Sequence, residues 1–174
     1  MEKELEIPEG ITLEADKKTI KVSGEKGQLE RSFKYFHDIK IEKKEKKLIV
    51  SSKIDKRKVK AMVGTIIAHV KNMIKGVKKG YIYNMKIVYS HFPMNVTLKG
   101  NVLEITNLCG GKSPRKAKIL PGVKLEIKGK EVIATGIDKE NVSQTCANIE
   151  TATKLRGKDR RIFQDGIYIV NKGK

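Results

Sequence analysis

Tryptophan is absent from this chain, and aromatic residues make up only 5% of it, so no clear platform for stacking unpaired bases stands out. Cysteine is nearly as scarce. Cys109 and Cys146 lie 37 residues apart, with neither a CxxC spacing nor a histidine pair nearby, a pattern that favours two reduced thiols over a disulfide or a metal site. His37, His69 and His91 are scattered, each without a partner at metal-ligand spacing. No apolar run approaches the roughly 18 residues of a membrane span, and the opening MEKELEIPEG is acidic, without a signal-peptide core. A cytoplasmic protein is expected. GxSxG, HExxH and GxGxxG are all missing. Gly110-Gly111-Lys112-Ser113 resembles the end of a phosphate loop, but Thr106 stands where that motif needs its first glycine. These absences argue against an enzyme and against a cofactor or small-molecule substrate.

Acidic residues are also in short supply. Twenty Asp and Glu face 38 Lys and Arg, giving a net charge of +18 and a pI near 9.8. Such a chain attracts polyanions, chiefly nucleic acid or an anionic membrane.

What the chain does contain is itself, twice. Residues 39 to 59, IKIEKKEKKLIVSSKIDKRKV, return about 84 positions later as VKLEIKGKEVIATGIDKENV, which marks a duplicated structural unit. Ile39, Ile41, Glu42, Leu48, Ile49, Ile54, Asp55, Lys56 and Val59 face Val123, Leu125, Glu126, Val132, Ile133, Ile137, Asp138, Lys139 and Val142. Upstream, Ile11-Thr12-Leu13 and Ile20-Lys21-Val22 have echoes in Val96-Thr97-Leu98 and Leu103-Glu104-Ile105. Two domains of about 80 residues follow, an N-terminal repeat over 1–80 and a C-terminal repeat over 81–174. Differences between the copies are not required by the shared fold, so they point to where function was added.

In the first copy, alternation over Ile11–Glu14, Thr19–Val22, Ile39–Glu42 and Leu48–Ser51 predicts short half-buried strands. The period then changes: Val59, Met62, Val63, Ile66, Ile67, Val70, Met73 and Ile74 recur at three and four, predicting a helix that Asp55 caps and Gly76 ends. Gly76 to Gly80 reads as a basic connector. The second copy repeats the plan with strands near Tyr81–Val88, Asn95–Leu98, Val102–Ile105, Lys124–Ile127 and Val132–Ala134, then a helix from an Asp138 cap to about Leu155. Its stripe of Val142, Cys146, Ile149 and Ala152 is narrower, and Thr145, Asn148, Thr151 and Thr153 suggest a more exposed or looser helix. The expected fold class is α+β: two tandem duplicated domains, each a small, mostly antiparallel β-sheet packed against one helix.

The second copy adds two cationic segments. Cys109 to Lys118 places Lys112, Arg115, Lys116 and Lys118 on a predicted loop that Gly110 and Gly111 allow to lie close to another surface. The tail from 154 to 174 carries seven basic and two acidic residues, among them Arg156, Lys158, Arg160, Arg161 and Lys172, with Gly157 between. If the two segments meet near the end of the sheet, they form a two-sided grip on phosphates. Lys40 to Lys47, where lysine and glutamate interleave, reads instead as a solvated hairpin. Phe163 and Tyr168 are expected to anchor the tail in the core, leaving recognition to the shape and backbone of folded RNA.

Three strings carry a resemblance: His69-Val70-Lys71-Asn72-Met73-Ile74-Lys75-Gly76-Val77, Val88-Tyr89-Ser90-His91-Phe92-Pro93-Met94 and Arg161-Ile162-Phe163-Gln164-Asp165-Gly166-Ile167-Tyr168. With them the chain resembles, end to end, the universal ribosomal large-subunit protein six family, called protein nine in eukaryotic large subunits, and most of all its archaeal branch. The resemblance implies a structural, two-domain α+β protein of the cytoplasmic large ribosomal subunit. It implies binding to large-subunit rRNA mainly through the second domain, near the sarcin-ricin loop and stalk base, beside neighbouring ribosomal proteins. Gly110, Gly111, Lys112, Arg115, Lys116, Lys118, Arg156, Gly157, Lys158, Arg160, Arg161 and Lys172 are the expected rRNA contacts, neutralising and positioning phosphates. Charge alone supports one alternative, a free-standing nucleic-acid chaperone or architectural protein. Six to ten phosphate contacts should cost roughly three to five decades of RNA affinity between about 50 and 200 mM salt, which a filter-binding titration over that range measures.

Overall fold

In a computed structural model, residues 2–16, 19–33, 39–44, 47–52, 54, 56–159 and 161–173 are described. They fall into two compact units, Met1–Gly80 and Tyr81–Lys174.

The first unit holds six strands and a helix: β1 (Glu2–Glu6), β2 (Thr12–Asp16), β3 (Thr19–Gly24), β4 (Gly27–Ser32), β5 (Ile39–Lys44), β6 (Lys47–Ser52) and α1 (Arg57–Lys79). Two three-stranded antiparallel sheets result, ordered β1-β6-β5 and β2-β3-β4. Alternation decides which side chains go inward: Leu13, Ile20, Val22, Leu48 and Val50 are buried, and they meet Val59, Val63, Ile66, Val70, Met73 and Val77 along one face of α1. The helix does not stop at Gly76. It runs to Lys79, and Gly80, at φ +76°, closes it by donating its N–H to the Gly76 carbonyl, so the expected basic connector is the last helical turn. Gly76 itself is buried, where a small residue serves packing rather than termination. The proposed cap, Asp55, lies outside the described residues.

The second unit repeats this order with β7 (Tyr81–Val88), β8 (Asn95–Lys99), β9 (Val102–Thr106), β10 (Arg115–Lys118), β11 (Val123–Lys128), β12 (Glu131–Gly136) and α2 (Lys139–Thr153), then adds β13 (Gly166–Lys172). Its sheets run β10-β9-β8 and β11-β12-β7-β13. Element by element this is the plan of the first unit plus one strand, because β13 pairs along the free side of β7. Even the register is inherited: Ile39 faces Ser52 in the first unit, and the equivalent Val123 faces Gly136 in the second.

Three expectations change. Residues 115–118 are a strand paired with β9 rather than part of a loop; the single inward residue, Ala117, leaves little apolar signal among three cations. α2 is not the looser helix. Thr145 and Thr153 are buried because each answers a backbone group: Thr145 Oγ1 donates to the Asn141 carbonyl (2.7 Å) and accepts from Leu120 N–H (3.2 Å). Thr153 Oγ1, bonded back to the Ile149 and Glu150 carbonyls, accepts Ile167 N–H from β13 (3.1 Å). The tail's anchor is Ile167, fully buried, whereas Phe163 is 41% exposed and Tyr168 half-buried. Pairing of Ile167 with Ile87 sets the inward phase of β13, and Phe163 precedes the strand altogether.

As sequence suggested, Asp138 caps α2, accepting Glu140 N–H at 2.9 Å. Cys146 faces the core, where burial pushes its thiol from 9.0 to about 11. The folded form therefore holds that proton more tightly, and this contribution is lost as pH rises from about 9 towards 11. Replacing Thr153 by Val keeps the shape but leaves Ile167 N–H unpaired, and urea unfolding should show a loss of about 1–3 kcal/mol.

Candidate nucleic-acid interface

The two cationic segments do meet, and a buried carboxylate joins them. After Asn107, at φ 61°, a 3-10 turn over Leu108–Gly110 holds Cys109 at φ 51° and Gly110 at φ 75°. Leu108 is buried and pins the turn, while Asn107 Nδ2 donates to the Pro93 carbonyl (3.1 Å). A cysteine seldom adopts such a left-handed conformation. Here its thiol donates to Asp165 Oδ2 (3.1 Å). The other oxygen, Oδ1, accepts the N–H of Ser90 (3.0 Å), just past the end of β7, so one side chain ties the β7 exit, the loop and the start of β13.

The tail leading to Asp165 is folded on itself. Gly157 turns the chain at φ +71°. Asp159 accepts from Arg161 N–H through its side chain (2.9 Å) and from Phe163 N–H through its carbonyl (2.9 Å), and Tyr168 Oη donates to the Gln164 carbonyl (3.1 Å). Between tail and loop lies a cleft of about 170 Å³ lined by Ser90, His91, Phe92, Cys109, Lys158, Ile162, Phe163 and Asp165.

The candidate contacts sort by position. Gly110, Gly111 and Lys112 on the loop and Arg156, Gly157, Lys158 and Arg161 on the tail are exposed, and of these Lys158 lines the cleft. Gly110 is favoured by its positive φ of 75°; a Cβ there would make only ordinary contact with the Phe92 ring, at 3.4–3.5 Å. Gly111 has an ordinary φ of −71°. Lys116 and Lys118 alternate with buried Ala117 and share the exposed face of β10. Arg115 is half-buried, and its Nη1 donates to the Ala152 (3.0 Å) and Lys154 (2.9 Å) carbonyls; a cation on the C-terminal carbonyls of α2 satisfies the helix end and its dipole, so Arg115 positions the tail. Lys172 stands apart. It pairs opposite Tyr83, whereas Gly166 pairs opposite Val88, which puts it about 17 Å further along the strands. Arg160 lies outside the described residues.

Sequence reasoning missed Asp165, Phe92 and Ile162. An aspartate just before an apolar run looks like a turn residue, and nothing in its spacing shows that it bonds partners 56 and 75 positions away. Burial first, then the hydrogen bond and charge of Asp165, raise the Cys109 thiol above its ordinary range. Among the described residues no group of His, Cys, Asp and Glu is placed to hold a metal ion, and no helix is long and apolar enough to cross a membrane.

Two copies of one α+β plan, the second extended by a strand and carrying a cationic loop-and-tail junction, define a duplicated structural binding protein. Residues 7–80 and 92–166 each match the family described as ribosomal protein L6, and the chain belongs to that family. It is 48% identical over 168 residues to the large ribosomal subunit protein uL6 of Aeropyrum pernix, covering 97% of this chain and 92% of that protein. Likeness to the proteins of the same name from Staphylothermus marinus, at 49% (98% of this chain, 94% of that protein), and Methanosarcina mazei, at 47% (97% and 95%), is as extensive. The family is structural, and the chain is not an enzyme.

Asp165→Asn should speed alkylation of Cys109 at mildly alkaline pH, because the substitution removes a negative neighbour that disfavours the thiolate. Mass-spectrometric labelling resolves Cys109 from Cys146, which should stay protected until the unit unfolds.

Proposed function

We propose that this chain is a structural constituent of the cytoplasmic large ribosomal subunit, holding large-subunit rRNA through phosphate contacts made by residues 81–174. Residues 1–80 act as a scaffold that shares the fold without the cationic additions. The observation that carries this reading is the Cys109–Asp165 bond, which ties the loop that carries Lys112 to the tail that carries Arg156, Lys158 and Arg161. Flexible cations scattered over a surface attract RNA without orienting it; cations on tied segments do both. Family membership and relatives named as large-subunit proteins support the same reading. The sarcin-ricin loop and stalk base, implied by the resemblance, are its proposed surroundings, with rRNA and adjacent ribosomal proteins as partners.

Within the interface the roles divide. Lys112, Arg156, Lys158 and Arg161 neutralise phosphates at the junction, with Lys116 and Lys118 extending the surface along β10. Arg115 holds the tail in place from behind. Lys172, at the other end of β13, contacts a separate stretch of RNA.

Single Ala substitutions at Lys112, Arg156 or Arg161 in the full chain should each lower the slope of log affinity against log salt by about one, with no change in thermal stability. Lys40→Ala, on the hairpin of the first unit, should leave the slope unaltered. Unchanged slopes at the junction would refute the assignment. Sedimentation of a cell lysate tests the ribosomal placement, since the chain should travel with large subunits through a moderate salt wash.

A further inference from the structure

Phe92 is 50% exposed, Phe163 41% and Ile162 71%, although the chain has very few aromatic rings to spend at a surface. They come from segments about 70 residues apart and line one cleft with His91 and Lys158. Each ring is held. Phe92 packs against Gly110, where no side chain intervenes, and Phe163 carries the Lys158 ammonium 4.5 Å from its centroid. Fixed aromatic faces with a cation alongside are what single-stranded nucleic acid stacks upon.

The charge layout says which part of a nucleotide enters. Asp165 and Lys158 both lie in the lining, the carboxylate with its oxygens already engaged by Ser90 N–H and the Cys109 thiol and the ammonium held over the Phe163 ring, while Phe92, Ile162 and Phe163 supply the apolar wall. A phosphate pushed inside would meet the Asp165 carboxylate as well as the Lys158 ammonium and lose its water to rings. An uncharged base would not. Lys112 on the loop and Arg156 and Arg161 on the tail are exposed, the last with a long contact to Asp159 (3.4 Å), so the segments that form the cleft also carry cations suited to the flanking phosphates.

We propose that this cleft is a binding subsite for one unpaired nucleobase of the bound RNA, stacked against Phe92 or Phe163, with cations of the loop and tail on the phosphates either side. The inference rests on the RNA-binding reading above and deepens it: the chain recognises a position where RNA is not paired, besides neutralising its backbone. At about 170 Å³, the cleft suits one base rather than a base pair.

The test uses the full chain and deproteinised large-subunit rRNA. Because the protein has no tryptophan, Phe163→Trp places a single fluorophore at the subsite; its emission should be quenched on saturation with rRNA and unaffected by a fully paired RNA duplex. Of Phe92→Leu and Phe163→Leu, which keep apolar volume but remove a stacking face, at least one should weaken rRNA binding about tenfold, leave the salt slope unchanged and leave duplex binding unaltered. Absent quenching at saturation, or Leu variants that bind as the unsubstituted protein does while its steep salt slope persists, would overturn the subsite and spare the RNA-binding reading. If the unsubstituted chain bound rRNA weakly with a flat salt slope, both readings would fall together. Variant melting temperatures distinguish a lost stack from a lost fold, and the Trp readout requires no loss of binding.

Discussion

Asp165 is the constraint on which the second unit's distinctive features depend. Its two oxygens reach backward to Ser90 at the exit of β7 and across to Cys109 in the loop, and the strand that begins immediately after it runs antiparallel along β7. Two residues on, Ile167 fills the core and gives its N–H to Thr153 near the end of α2. Helix end, extra strand, loop and β7 are therefore joined within three residues of one another. Removing a partner from such a buried network leaves the remaining groups unpaired, which costs more than any single bond contributes.

Duplication explains why so much chemistry can be concentrated there. Six strands and a helix recur in the same order, and the β5–β6 and β11–β12 hairpins share their register, so the sheet-and-helix frame is common to both units and the tail is added to it. In the first unit nothing pairs with the free side of β1 among the described residues; in the second, β13 takes the corresponding place beside β7. The added strand covers an edge that would otherwise expose unpaired backbone groups, and in doing so it brings the cationic tail to the loop. A gain in sheet pairing and the construction of the interface are thus one structural event.

Electrostatics then separates the interface into parts. Exposed lysines and arginines at the junction keep their charges in water, where they are available to phosphates and sensitive to salt. Arg115 works differently, committed to the carbonyls of Ala152 and Lys154. The cleft itself holds both signs of charge, the Asp165 carboxylate bonded to Ser90 and Cys109 and the Lys158 ammonium over the Phe163 ring, beside apolar side chains.

Much was legible in the residues themselves. The repeat, both helices, the hairpin strands and the Asp138 cap follow from local periodicity and from the spacing of the copies, because amphipathic elements must show their buried face in the sequence. Where one residue decided the matter, local pattern failed: β10 has only Ala117 turned inward, and Thr145 and Thr153 look like surface threonines until the backbone groups they satisfy are known. What the sequence by itself determined is a doubled α+β frame, equally basic in its two copies, with cations concentrated on a glycine-containing loop and a tail that only the second copy carries. Only the tertiary structure decided that Arg115 supports the tail while its neighbours face outward, that Lys172 lies at the far end of the sheet, and that Phe92 and Phe163 share a cleft instead of a core. The physical reason is that these outcomes rest on a few hydrogen bonds between positions dozens of residues apart, which leave no period in the chain to be read.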